Sequence, residues 1–206
     1  RLGLRQGVLG AVTYATGTPA VGFILSLLVV VSLLGLNFNT VVPLIARDVL
    51  HEGAQGFGYL MSALGGGAVV GAAGLAVGRK DRPPLAFLSG SAAVLCAGVA
   101  TLGLVSHFPT AMVVLAVLGM LQIYFTTSAN TSLQLITPPA LRGRVMGLYA
   151  MAFAGVTPFG SLLVGTLAEH WGVRVACAFG GSLGALSVIS IAVLSRRRLA
   201  PSIPPT

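Results

Sequence analysis

The sequence predicts an all-α, polytopic membrane protein of six transmembrane helices, on three observations. Of its 206 residues, 55% are hydrophobic and only 8% are charged, against about 25% charged in an ordinary soluble domain. The four acids, Asp48, Glu52, Asp81 and Glu169, fall between the apolar runs rather than inside them. This is the expected placement, because an ionised side chain at mid-bilayer costs about 2.5–3.5 kcal/mol. The runs themselves are span-length, roughly 20 residues or more. They are too long and too evenly apolar for barrel strands, so continuous helix is the expected spanning form.

The elements follow in order. Residues 1–18 read as a short basic lead containing Gly and Thr, and residues 19–194 as the membrane domain. The first span runs from about Pro19 to Ala46, with Asn37, Asn39, Thr40 and Pro43 in its second half. A polar loop from Arg47 to Glu52 follows. The second span, about Gly56 to Val77, is the most glycine-rich and ends in an interfacial turn, Gly78-Arg79-Lys80-Asp81-Arg82-Pro83-Pro84. The third covers about Leu85 to Ser106 and is closed by His107-Phe108-Pro109; the fourth covers about Thr110 to Ile136.

The fifth stretch, Thr137 to Gly172, organises the rest. Two prolines and two arginines open it, no charge lies between Arg144 and Glu169, and Glu169-His170-Trp171 marks the far interface. The sixth span runs from about Val175 to Leu194. Residues 195–206 form a basic, then proline-rich tail expected to be disordered. Arg1 opens the chain and no initiator Met is present, so the sequence is expected to start within a longer protein.

Charge placement orients the spans. Ten of the twelve Lys and Arg residues fall on one side, only Arg47 and Arg174 on the other. By the positive-inside rule both termini are cytoplasmic. The same placement argues against nucleic acid as the partner of the net charge of +8, since no basic patch is interleaved with aromatics on a polar surface. Cys96 and Cys177 lie in apolar runs and read as small hydrophobes, with no disulfide inferred. His51, His107 and His170 gather at the outer side without metal-ligand spacing. No nucleophile–base pair or phosphate-cradling loop stands out, so no enzyme, metal or cofactor is expected.

Four features point to function. Gly67, Gly71, Gly74 and Gly78 share one helix face, fit for close helix approach, either as a static seam or as a sliding contact. Gln122, Thr126 and Asn130 drift only ~40° per step and form one polar stripe beside Tyr124 and Phe125. With Asn37 and Asn39 of the first span, the stripe either hydrogen-bonds between helices or lines a cavity for a translocated solute. Gly155, Pro158 and Gly160 predict a bend in the fifth span. Arg142 and Arg144 stand at a helix N-terminus, where the dipole disfavours cations, so topology or a gate contact explains them.

These residues resemble the major facilitator superfamily, and more narrowly the bacterial drug and siderophore exporters related to the enterobactin exporter. The similarity covers nearly the whole chain and corresponds to the C-terminal six-helix half of the twelve-helix fold. It is carried by Asn37-Phe38-Asn39 leading to Pro43-Leu44-Ile45-Ala46-Arg47-Asp48-Val49-Leu50, by Gly56-Phe57-Gly58, and by Leu141-Arg142-Gly143-Arg144-Val145-Met146 followed by Gly147-Leu148-Tyr149. Gly165-Thr166-Leu167-Ala168-Glu169 with Gly172 and Arg174 is similar to the superfamily's Gly-x-Leu-Ala-acid pattern.

The resemblance implies alternating access by two halves around a midplane site. It implies a cavity lined by the first and fourth spans, and contact of the glycine face and the bent fifth span with the absent N-terminal half. Gly155, Pro158 and Gly160 are similar to the glycine–proline motif of antiporters, though in the pseudo-symmetric helix. Two departures stand out. Val77 replaces an acid in the loop signature, and no carboxylate lies within a span. A proton-coupling acid is then in the absent half, or is interfacial Glu169 or Asp48. The expected activity is export of a small amphipathic molecule by proton antiport in a bacterial inner membrane. The rivals are a complete six-helix homodimeric permease and a non-transporting membrane scaffold.

Overall fold

A computed structural model describes residues 4–78 and 83–199. The described residues form α1 (Leu4–Gly17), α2 (Pro19–Leu34), α3 (Phe38–Asp48), α4 (Ala54–Gly78), α5 (Leu85–Leu102), α6 (Phe108–Ile136), α7 (Pro139–Ala150), a π-turn (Met151–Gly155), α8 (Thr157–Trp171) and α9 (Val173–Leu199). Among the described residues, six spans are long and apolar enough to cross a membrane, from Pro19–Asp48 to Val173–Ser195. The fold is all-α and polytopic, as the sequence predicts.

The helices pack as two tight pairs, α4 on α6 and α5 on α9; α5 also packs on α6, and α2 on α9. Small residues set both seams. A Cβ at Gly67 would collide with the backbone of Ala116, one at Gly119 with the Leu64 carbonyl, and one at Gly181 with the backbones of Ala100 and Cys96. Backbones in contact maximise dispersion where lipid offers no hydrophobic drive between helices. The core they enclose includes Ile24, Leu27, Leu28, Leu95, Leu118 and Phe125, all essentially inaccessible.

Several expectations change. The first span is two helices, not one: α2 ends at Leu34, and α3 begins at Phe38 after Gly35-Leu36-Asn37. The third span ends at Leu102, shorter than the sequence reading, because Gly103-Leu104 turns back on the last helical carbonyls. The sequence reading left the secondary structure of the lead open. Leu4–Gly17 is helical, and it is held against α7 and α2.

The tail reading is corrected where it is visible, since α9 continues through Leu199; residues 200–206 lie outside the described residues. So do residues 79–82 of the interfacial turn, including Asp81. Gly172, with φ +84°, makes the sharp turn from α8 into α9, a conformation that only glycine adopts freely.

Candidate functional site

The fourth span supplies the polar stripe. Gln122 stands at the midpoint of the 29-residue α6, half-buried, and among the described residues the stripe's hydrogen bonds reach its backbone carbonyl and not its side-chain amide. Thr126 Oγ1 donates to the Gln122 carbonyl at 2.8 Å. One turn on, Gln134 Nε2 donates to Asn130 Oδ1 at 2.5 Å. Across from them the Tyr149 hydroxyl of α7 donates to the Thr126 carbonyl at 3.4 Å and lies within hydrogen-bonding reach of Asn130. The Tyr149 ring stacks on Phe153, centroids 6.1 Å apart. The stripe is thus a half-buried polar track walled by an aromatic pair.

Two expected members of that track lie elsewhere. Tyr124 faces the other way, its hydroxyl 2.8 Å from where a Cβ on Gly74 would sit and its ring 6.2 Å from that of Phe87. Asn37 is 3% exposed, wedged between the two interrupted spans. Its Nδ2 donates at 2.7 Å to the Leu33 carbonyl, which the break between α2 and α3 leaves without a helical donor. Ser161 Oγ donates to its Oδ1 at 3.3 Å. Asn37 is therefore a strut between helices, while Asn39 is exposed. The Asn39 carbonyl cannot receive the usual bond from residue i+4, because that residue is Pro43.

The fifth span is interrupted at the same level. Pro158 has no N–H for the Ala154 carbonyl, and the chain answers with the π-turn Met151–Gly155 before α8 resumes at Thr157. The bend predicted at the proline is realised as this wider turn just before it. Gly155 and Pro158 are exposed, with nothing near the Gly155 Cβ position. Gly160 is buried: a Cβ there would strike the Leu33 carbonyl and come within 2.8 Å of both amide atoms of Asn37. The two broken spans meet at that point.

Gly67, Gly71 and Gly74 do not offer a face to another half. α6 already occupies that face, with Ala116 against Gly67, Met120 against Gly71 and Tyr124 against Gly74. The physical reason is register: Gly119 and Ala116 on α6 present a matching smooth surface. The open face of α4 is the opposite one, Gly58, Ser62, Gly65, Val69, Ala72 and Ala76, all exposed. These fall at i, i+4, i+7, i+11, i+14 and i+18, a pattern the sequence contained and the sequence reading passed over. Arg142 is exposed; Arg144 is half-buried, its Nη1 3.4 Å from a Cβ position at Gly10 of α1.

Residues 3–202 match the family described as transmembrane secretion effector. The chain belongs to that family, within the major facilitator superfamily. The transmembrane secretion effectors are transport proteins and not enzymes. The multidrug efflux pump Tap of Mycobacterium bovis and that of Mycobacterium tuberculosis are each 31% identical over 126 residues, 60% of this chain and 30% of the relative. The matched stretch is thus less than a third of each relative's length. No solved structure matches the chain.

Proposed function

We propose that this chain is the C-terminal half of a secondary active exporter of small amphipathic molecules that works by alternating access in a bacterial inner membrane, with both termini cytoplasmic. The observation that carries this reading is Gln122, an amide at the middle of a span, half-buried and with no side-chain hydrogen bond among the described residues. Amides in hydrocarbon are tolerated where they face a partner or a water-filled cavity. A solute path beside α6 supplies the cavity, and Thr126, Asn130 and Tyr149 extend it toward one mouth. The efflux-pump relatives, by their printed name, support drug-like cargo.

Two faces support a missing N-terminal half. The fifth span is only 17% buried, against 50% for the first. The open face of α4 is Gly, Ser and Ala apart from Val69, whereas the open face of α9 carries Phe179, Leu183, Leu186 and Ile189. Bulky side chains suit lipid and small ones suit another helix, so the second half packs on α4. Coupling by proton antiport then needs an acid. Asp48 is already engaged by Arg47, at 2.6 and 3.1 Å, whereas Glu169 is exposed and has no ion pair among the described residues. Glu169 is the better candidate on this half.

The test is accumulation of a fluorescent lipophilic cation in cells expressing the full-length polypeptide that contains this chain. Gln122→Leu and Asn130→Leu are expected to raise accumulation to the empty-vector level with protein abundance unchanged. Unchanged export in both variants overturns the path beside α6.

A further inference from the structure

The fifth span carries polar atoms at mid-bilayer that the export reading leaves unused. It covers Pro139–Trp171, with Gly155 as its central residue, so the π-turn Met151–Gly155 lies near the middle of the hydrocarbon. Gln122 holds the corresponding central place in α6.

Backbone pairing fails there at two consecutive carbonyls. Thr157 Oγ1 donates to the Phe153 carbonyl at 2.5 Å, so that oxygen is served. The Ala154 carbonyl would take its donor from residue 158, which is proline. The Gly155 carbonyl would take the Phe159 N–H, but that group donates to the Val156 carbonyl at 3.1 Å. The Gly160 N–H goes to the same Val156 oxygen, at 3.2 Å. Ala154 and Gly155 thus both lose their helical donors, and they are exposed, as is Pro158. A Cβ on Gly155 would meet nothing within 4 Å, so the approach to the pair is open.

Main-chain oxygens in this state do not face lipid, because hydrocarbon offers no donor; they occur where they meet protein or line a cavity. The neighbouring groups indicate what that cavity holds. Phe153 adjoins the pair in the chain and stacks on Tyr149, centroids 6.1 Å apart, and Tyr149 reaches α6 at the Thr126 carbonyl. The two carbonyls therefore lie beside the aromatic wall of the polar track. Acceptor oxygens next to aromatic rings suit a cation that also donates hydrogen bonds. The four carboxylates of the chain fall near the ends of the spans or between them. On this half, hydrogen bonding rather than ion pairing is what can hold such a head group at mid-bilayer.

We propose that the Ala154 and Gly155 carbonyls form the acceptor pair for the head group of the cargo. They select aromatic amphipaths whose ammonium carries N–H groups over quaternary ones. The inference rests on the solute path beside α6 and goes further, by assigning the head-group class.

The experiment uses the purified full-length polypeptide in lipid nanodiscs and two fluorescent probes. Each is a dansyl group on a pentyl chain, ending in a primary ammonium in one and a trimethylammonium in the other. Both carry the same charge at neutral pH and differ at the head group in N–H donors. The quaternary head is the easier of the two to strip of water, so a preference for the primary one has to come from acceptors in the protein. Binding of the primary ammonium is expected to be about tenfold tighter, the usual effect of a hydrogen bond to a charged group. Pro158→Ala returns an N–H to the Ala154 carbonyl and is expected to bring the two affinities within about twofold of each other. Phe153→Leu removes a ring that attracts either cation and is expected to weaken both by about threefold, with their ratio kept.

Equal affinities in the unaltered protein overturn the proposal, and mean that water or a side chain of the second half occupies the pair. A preference that survives Pro158→Ala overturns it too, as does one that is lost in Phe153→Leu instead. Should Pro158→Ala not reach the membrane, Pro158→Gly supplies the same N–H and decides. Failure of the export reading looks different: the binding preference is present, yet neither probe leaves cells that express the protein.

Discussion

Small residues bring helices together at two places in this molecule, with opposite consequences. In the α4–α6 seam, Gly67 and Gly119 admit the facing backbones directly, and both helices run unbroken through the contact. Where the first and fifth spans cross, Gly160 admits the Leu33 carbonyl and the Asn37 amide, and both spans are interrupted nearby. The first contact is apolar and uniform, so sliding it has no alternative set of partners. The second is a few hydrogen bonds at freed carbonyls, which can be exchanged for others at small cost. A seam of the first kind holds the spans together as a body; a joint of the second kind lets segments of them tilt.

The largest expected effect tests the rigid side. Gly67→Leu must push Ala116 and its backbone away, and overpacking of this kind costs about 3 kcal/mol or more when the obstacle is main chain. The expected result is loss of folded protein in the membrane, read as a collapse of the unfolding transition. Gly58→Leu, on the open face of α4, is expected to leave the six spans folded and to impair only assembly with the proposed second half. Equal damage from both substitutions would erase the distinction between the two faces.

Next comes the joint. Asn37→Leu removes the donor to Leu33 and the acceptor for Ser161 while leaving a buried carbonyl unpaired, an expected loss of about 1–2 kcal/mol. A double-mutant cycle with Ser161→Ala should show coupling of about 0.6 kcal/mol, the usual size for such a bond in a membrane. Gly160→Ala should slow export more than it lowers stability, because its methyl group meets Asn37 and Leu33 in the joint. A loss of stability as large as that of Gly67→Leu would make the joint a second rigid seam.

How far the sequence reaches can be judged on these same residues. The six spans and their turns were legible because charge is excluded from hydrocarbon and the exclusion is written locally. The stripe from Gln122 to Asn130 was legible because helical periodicity alone places it. The assignment of the α4 glycines was not. Gly67 and Gly58 lie on opposite faces of one helix, each smooth, and which face meets α6 depends on Gly119 and Ala116, some fifty residues away. Likewise the break at Gly35-Leu36-Asn37 has no local breaker strong enough to announce it, since Pro43 comes later, inside α3. The break is stabilised by Asn37 and by a contact with Gly160 across the fold. The helicity of the lead is similar, drawn out of a Gly- and Thr-containing stretch by packing on α7 and α2.

The smallest effect sharpens the comparison most. Tyr149 reaches the Thr126 carbonyl at 3.4 Å, near the outer limit of a useful hydrogen bond, so Tyr149→Phe should change stability by less than about 0.6 kcal/mol. Its ring still stacks on Phe153 and keeps the aromatic wall in place. If the hydroxyl faces the solute path, export of a hydrogen-bonding cargo should nevertheless fall, while export of a purely apolar cation should persist. Stability lost on the scale of Asn37→Leu would instead make Tyr149 a strut, and the polar track would then belong to the packing of the half rather than to its cargo.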